Sequence, residues 1–480
     1  MKLYLKGHTD RYAIEQLQLS LFPEEPMEPV DAPFTGDGAT SALYYGKRWM
    51  TAVTTITRAG KSVRVQRRIA CTQDVPARRR LLQNCYYDAA MLLRSPPQWG
   101  SLSGVRPTKL TTRCLLAGAS ASEADRLLRE TYRVSAARRR LCVECSERTV
   151  EAARRLRPDD VSVYIGIPFC PTRCAYCSFV SAGIGGKKAL LEDYLAALRR
   201  EIAHVGAHLR ASGKRVRTLY IGGGTPTTLS AVQLKALMEE IARHFDLTEL
   251  IEYTVEGGRP DTLGEEKLRV LRVQGCTRVS VNPQTMNDAV LRAIGRCHTA
   301  QQVEQSYRQA QAAGFTDINM DLIAGLPTDT SDSFAASLRR VLALCPTGIT
   351  VHTLALKKGA DLFFDRAALP TAEAVEEMLR FAQEALRAAG YRPYYLYRQK
   401  YMSGSFENVG WCKKGHEGLY NIYMMEELHS VISLGGGGMT KINLPDGRLE
   451  RFHNPKFPEQ YVARIEDVLR QKDVAFALLK

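Results

Sequence analysis

From Val161 onward, short aliphatic and β-branched runs alternate with longer stretches whose apolar positions recur every three to four residues. The runs Val161–Ile167, Val216–Ile221, Leu250–Glu256, Thr277–Asn282, Thr316–Ile323 and Gly348–Leu354 predict strands. The stretches Ala189–Leu209, Ser230–Phe245, Glu265–Val273, Met286–Ala293, Ala300–Ala313, Asp332–Leu344 and Thr371–Ala389 predict helices, and Gly222–Pro226 a tight glycine-rich turn. Strands that alternate with helices predict a parallel sheet with crossover helices. About six such units suit an open barrel better than a closed eight-stranded one. The expected fold class is therefore α/β, a partial (β/α)6 barrel over residues 156–389. Ligands in such sheets bind at the carboxyl ends of the strands.

The flanks follow other patterns. Residues 1–155 begin with possible strands at Leu3–Leu5, Leu43–Tyr45 and Val63–Arg67, then turn helical and arginine-rich from about Pro76. They predict a separate N-terminal α+β domain. Residues 390–480 are rich in tyrosine and glycine and predict a C-terminal cap domain. A chain of 480 residues is long enough for two or three domains. With 45% hydrophobic and 24% charged residues it can bury a sizeable core, so disorder is not the expectation.

Charge and cysteine change the picture in two places. The formal charge of +15 favours an anionic partner, without choosing among nucleic acid, a lipid surface and a polycarboxylate. Part of the excess lies in the runs Arg78–Arg80, Arg138–Arg140 and Arg199–Arg200, which read as solvated helix faces. Twelve cysteines raise the question of disulfides. The first 21 residues have no apolar signal-peptide core, and no stretch approaches the roughly 18 to 20 apolar residues of a membrane span. A cytoplasmic location is expected, where thiols stay reduced and clustered cysteines point to metal or catalysis.

One cluster meets that description. Strand Val161–Ile167 runs straight into Pro168-Phe-Cys-Pro-Thr-Arg-Cys-Ala-Tyr-Cys177, a C-x3-C-x2-C spacing of Cys170, Cys174 and Cys177. Iron–sulfur clusters of the [4Fe–4S] type commonly use four thiolates. Three from one loop would leave one iron open to a small molecule. Structural zinc takes four Cys or His ligands in paired spacing, and no partner pair lies nearby. Cys142 and Cys145 form a lone C-x2-C inside an apparent helix and read as packing residues. The scattered Cys71, Cys85, Cys114, Cys276, Cys297, Cys345 and Cys412 read the same way.

A C-x3-C-x2-C after the first strand resembles the signature of the radical S-adenosylmethionine (SAM) superfamily. The segments Tyr164-Ile-Gly-Ile-Pro-Phe-Cys-Pro, Gly222-Gly-Gly-Thr-Pro-Thr and Asp321-Leu-Ile-Ala-Gly-Leu-Pro resemble the oxygen-independent coproporphyrinogen III oxidase family over about residues 160–440. Gly104-Val-Arg-Pro-Thr-Lys, Val351-His-Thr-Leu and Tyr397 through Trp411 resemble its coproporphyrinogen dehydrogenase branch, found in Gram-positive bacteria. The resemblance implies a [4Fe–4S] cluster on Cys170, Cys174 and Cys177, which cleaves SAM to a 5′-deoxyadenosyl radical. It implies SAM contacts from Gly223, Gly224, Thr225 and Glu256, with Tyr164 beside the first SAM. Gln284, Arg296 and Asp321, with Tyr176 and Ala355 nearby, would surround a second SAM, a feature of some relatives only. Two positions depart from the pattern. Gly166 stands where many relatives carry His, and Phe179 where the well-characterised bacterial oxidases carry a fourth cysteine.

The implied reaction converts two propionates of coproporphyrinogen III to vinyl groups, giving protoporphyrinogen IX, with a donor such as flavodoxin or ferredoxin supplying electrons. A tetracarboxylate tetrapyrrole suits a basic pocket, and Arg259, Arg398 and Lys400 are candidates for it. Two other readings stay open. A haem-binding trafficking protein on the same fold would also carry Phe179 and could use His416 and His429 as axial ligands. A radical SAM enzyme modifying RNA would use the net charge, but neither flank carries a nucleic-acid-binding motif.

Overall fold

The computed structural model describes residues 1–22, 25–178, 180–185, 188–355, 369–398 and 406–479. The chain divides into two compact units, Met1–Val143 and Glu144–Lys480.

In the first unit, strands Glu28–Val30, Lys2–Lys6, Gly38–Tyr45, Trp49–Arg58 and Lys61–Ala70 form a five-stranded sheet in that order. Helices Arg11–Leu21 and Val75–Ala90 contribute Ile14, Leu17, Leu82 and Tyr86 to its core, together with Leu3, Met50 and Ile56 from the sheet. The first arginine run is engaged here. Arg78 and Arg79 both pair with the buried carboxylate of Asp10 at 2.9 Å. Cys142 and Cys145 are buried in helix Ala136–Ala153, and Cys142 Sγ lies 3.3 Å from Thr111 Oγ1.

The second unit is built on an eleven-stranded sheet. Its centre holds Asp160–Ile167 (β1), Arg215–Gly223 (β2), Glu252–Val255 (β3), Arg278–Ser280 (β4), Asp317–Ala324 (β5) and Gly348–Thr353 (β6). Each pairs in parallel with the next. Helices Lys188–Ala211, Ala231–His244, Glu265–Val273, Ala300–Ala312 and Ser331–Leu344 make the crossovers. β1 and β6 do not pair, so the barrel stays open, as the alternation predicts. Helices on one face and the barrel interior on the other bury nearly every position of β1, β3, β4 and β6, whereas β2 and β5 leave alternate polar positions half-buried. Serine or threonine caps start three of the crossover helices, at Ser230, Thr299 and Thr330. Ser230 and Thr299 each accept from the backbone three residues on, while Gln233 and Gln302 reach back in a capping box.

Residues beyond 390 extend this same sheet at both edges. Glu407–Cys412 pairs antiparallel with β6 and in turn with Arg392–Arg398. Val431–Leu434 pairs in parallel with β1, and the hairpin strands Met439–Asn443 and Leu449–His453 follow. Against β1 the backbones approach closely. A Cβ on Gly166 would lie 2.7 Å from the carbonyl oxygen of Gly436, and one on Gly435 2.4 Å from that of Gly166. Gly435 has φ +80°, which a side chain would strain. The Gly435–Gly438 turn thus fills the space that a side chain at position 166 would need.

Candidate active site at the carboxyl ends of the strands

The cysteine loop leaves β1 at Ile167 and returns along a two-residue parallel pairing, Phe169–Cys170 against Ala182–Gly183. Its backbone is tied down at several points. The amide of Ala182 donates to Pro168 O (2.9 Å), that of Cys177 to Cys174 O (3.0 Å), and that of Ala175 to Ile294 O beyond β4 (3.1 Å). Cys170 and Cys177 are half-buried and Cys174 is buried, all three as thiols.

The glycine-rich segment after β2 lies directly against this loop. The amides of Gly224 and Thr225 donate to the carbonyls of Ile167 and Phe169, at 2.9 and 2.8 Å. Thr225 Oγ1 donates to Cys170 Sγ at 3.5 Å. A Cβ on Gly224 would sit 2.6 Å from Phe169 O and 3.0 Å from Cys170 Sγ. Gly223 has φ +114°. These positions need glycine for close approach to the loop and for backbone conformation.

Glu256 follows β3 and points back to the same segment. It accepts from Tyr220 Oη (2.6 Å) and from the Gly223 amide (3.2 Å). Burial is the main influence on its carboxyl, with the neighbouring charge of Asp321 acting the same way. Together they raise its pKa to about 7, against the hydrogen bonds from Tyr220 and Gly223. Tyr164 of β1 and Tyr220 of β2 stand in register and stack at 6.1 Å. Tyr420, from helix Leu419–Glu426, stacks on Tyr220 at 4.5 Å and on Tyr164 at 6.3 Å.

A second group of expected residues gathers beyond β4 and β5. Gln284 bridges to Leu322 and holds φ +67°, a conformation uncommon for a residue with a side chain. Arg296 Nη1 donates to Asn282 O (2.9 Å) and Nη2 to Tyr176 Oη (3.0 Å). Asp321 accepts from Asn319 Nδ2 at 2.7 Å, and His352 of β6 lies 3.8 Å away. Burial alone would raise the Asp321 pKa, but His352, Thr350 and Asn319 hold it below the ordinary value. Ala355, half-buried, lies just past β6. Several buried polar atoms here have no hydrogen-bond partner among the described residues: Ser280 Oγ, Asn282 Oδ1, Gln284 Oε1 and Arg296 Nε, while His298 Nδ1 lies 3.8 Å from Asp261 Oδ1. Native interiors rarely leave such groups unsatisfied, and their concentration in one place marks a surface shaped for a polar ligand.

The structure therefore brings every expected site residue to one end of the barrel. It reassigns others. Arg259, a candidate for substrate carboxylates, is buried and forks onto Asp261 at 2.9 and 3.0 Å while binding Thr172. Arg398 is buried too, and burial lowers its pKa to about 10. Lys400 and Phe179 lie outside the described residues. His416 and His429 do not face this end. His416 Nδ1 pairs with Asp317, the first residue of β5, at 2.9 Å. His429 Nε2 meets Ser162 Oγ near the start of β1 at 2.7 Å, and burial lowers its pKa to about 3.

Comparison with known proteins agrees with this geometry. Residues 164–341 match the radical SAM superfamily model. The oxygen-independent coproporphyrinogen-III oxidase-like protein HemZ of Bacillus subtilis is 40% identical over 381 residues, which cover 78% of this chain and 76% of that protein. The heme chaperone HemW of the same organism is 33% identical over 284 residues, or 58% of this chain and 70% of its own length. The solved structure of Escherichia coli coproporphyrinogen III oxidase, HemN, a radical SAM enzyme, superposes with TM-score 0.54 at 24% identity, over 69% of this chain and 78% of that one. That likeness is one of fold. The cofactors of this domain are a [4Fe–4S] cluster and SAM. The thiol loop, the glycine cradle against Cys170 and the unsatisfied polar atoms fit both groups. Among the described residues no helix is long and apolar enough to cross a membrane.

Proposed function

Since the chain belongs to the oxygen-independent coproporphyrinogen III oxidase-like family of radical SAM proteins, we propose that it oxidatively decarboxylates two propionates of coproporphyrinogen III to vinyl groups. The observation that carries this reading is the placement of three thiols on one loop at the carboxyl end of β1, sealed by the glycine segment after β2. In this reading Cys170, Cys174 and Cys177 would hold the [4Fe–4S] cluster, one thiolate short of the usual four. Bound there, the cluster and SAM supply a 5′-deoxyadenosyl radical that removes a hydrogen atom no protein group could abstract.

The chain's own residues bind and orient. Gly223, Gly224 and Thr225, packed on the cysteine loop, would contact SAM beside the cluster. Glu256 accepts hydrogen bonds from SAM, and the Tyr164–Tyr220–Tyr420 stack closes the wall behind it. Gln284, Arg296 and Asp321, with Tyr176 and Ala355, frame a further polar compartment that takes a second SAM. At each propionate the β-hydrogen atom would go to the deoxyadenosyl radical, CO2 would leave, and one further electron would pass to an external one-electron acceptor, so that a carbon–carbon double bond remains. A reduced flavodoxin or ferredoxin supplies the electron that starts each round.

The heme chaperone relatives and Phe179 support a second reading, haem binding without decarboxylation. In it the axial ligands are not His416 or His429, which are engaged at the opposite end of the strands. One experiment separates the two. Anaerobically reconstituted protein is given SAM, reductant and coproporphyrinogen III. Protoporphyrinogen IX with CO2 release supports the proposed reaction. SAM cleavage or haem binding without decarboxylation rejects it.

A further inference from the structure

Away from the barrel mouth, two helices of the second unit bring together three metal-ligating side chains. Helix Lys188–Ala211 carries His204 and His208, one turn apart, and helix Ile465–Leu478 carries Asp473. The Nε2 atoms of both histidines converge on a single oxygen, Asp473 Oδ1, at 2.7 and 2.8 Å. The ligand atoms of the three side chains all lie within 4.8 Å of one another, the sole such grouping found among the described residues. Packing orients the rings while leaving them partly exposed. His208 stacks on Phe476 at 4.8 Å with the planes 12° apart, and His204 meets His208 edge-on at 4.9 Å. The side chains remain 30%, 30% and 50% exposed, so an ion can enter from solvent.

We propose that His204, His208 and Asp473 form a surface site for a zinc-class divalent transition-metal ion, which fastens the C-terminal helix to the helix that follows the cluster strand. Two imidazole nitrogens and a carboxylate form a common zinc donor set, and three protein ligands leave a position for water. With bonds of about 2.0–2.2 Å, ligand atoms on one tetrahedral ion lie about 3.3 Å apart. The two nitrogen–oxygen separations, 2.7 and 2.8 Å, reach that value by opening about half an ångström, and the two histidine nitrogens already lie within 4.8 Å of each other, adjustments that partly exposed side chains can absorb. The donor set also differs from that of the thiol loop, so the two sites take different metal chemistry. Neighbouring charges do not compete for the carboxylate. Arg200 is paired with Glu466 on the same two helices, and Lys472 turns inward to Glu201.

The test uses the full chain with Cys170, Cys174 and Cys177 replaced by alanine, so that zinc cannot fill the cluster loop. Zinc chloride is added by equilibrium dialysis to this protein and to the same protein carrying His204→Ala or Asp473→Asn. The proposal expects one equivalent of zinc lost with His204→Ala, and at least tenfold weaker binding with Asp473→Asn, which keeps the size and polarity of the carboxylate. Thermal unfolding gives a second readout, with a zinc-dependent rise of about 3 °C present only when all three side chains are intact. Cobalt loaded at the same site absorbs in the visible without a thiolate charge-transfer band. Equal zinc binding and equal thermal response in His204→Ala, or a thiolate band with cobalt that both variants retain, overturns the assignment.

Discussion

Arg259 Nη1 donates to both the carbonyl oxygen and the Oγ1 of Thr172, at 3.2 and 2.7 Å, in the middle of the cysteine loop. The rest of its guanidinium is spent on Asp261. A buried, forked cation thus clamps the loop from the β3 side. Lysine cannot reproduce the fork. Arg259→Lys is expected to keep the fold, lose about 2 kcal/mol of stability, and hold less iron after reconstitution. Iron content per chain with the thermal midpoint checks this.

Gly224 packs directly against the cysteine loop. Gly224→Ala forces a methyl against Phe169 O and Cys170 Sγ, at 2.6 and 3.0 Å. Overpacking of this kind costs about 1–3 kcal/mol, and here the strain falls on a cluster ligand. Iron loading and SAM cleavage should both drop sharply while circular dichroism stays that of the parent.

Glu256 makes stability depend on pH. Its folded pKa of about 7 lies above the ordinary carboxyl value of 4.5. The folded state therefore binds more protons than the unfolded one between these values. The resulting stabilisation is complete below about pH 4.5 and is lost as pH rises through 7. At 1.36 kcal/mol per pKa unit it amounts to at most about 3 kcal/mol. Glu256→Gln removes this dependence, so the two proteins' unfolding free energies should diverge across that window without ligand. Parallel curves would contradict the assignment.

Glu201 and Lys472 form an ion pair with both side chains fully buried, 3.3 Å apart. Glu201 also accepts from the Gly435 amide, Asn454 and Tyr461, while Lys472 donates to Ser433 O, Thr440 and Asn454. The network pins the glycine turn that packs on Gly166. Lys472→Met strands a buried carboxylate, at a cost of about 3–5 kcal/mol. Denaturant unfolding should show it, with a smaller loss when Glu201→Gln is added to the same chain.

The barrel was legible because short β-branched and aliphatic runs alternate regularly with helical periodicity, even though the strands also carry polar residues such as Ser162, Thr218 and Asn319. The cysteine loop was legible because three ligands to one cluster must lie close in sequence. The pairing of Tyr164 with Tyr220 and of Gly166 with Gly222 was not legible, because a bulge after Val161 shifts the register between β1 and β2 by one residue. Other features have no local signal. Tyr420 reaches the site from a helix far along the chain. The strands beyond 390 join both sheet edges, a pairing set by long-range contacts. The threonine-rich strand Trp49–Arg58 was not anticipated, since its polar residues mask its half-buried alternation. Arg259 shows the limit of charge as a guide, because a cation near a strand end serves the loop as readily as a substrate.

The central claim is that Cys170, Cys174 and Cys177 together hold the cluster that cleaves SAM. Anaerobic reconstitution of the parent and of Cys174→Ala, followed by dithionite and SAM, tests it most directly. The account predicts about four irons and four sulfides per parent chain, with 5′-deoxyadenosine and methionine formed, and neither product from Cys174→Ala. Equal iron content and equal 5′-deoxyadenosine from the two proteins would contradict it.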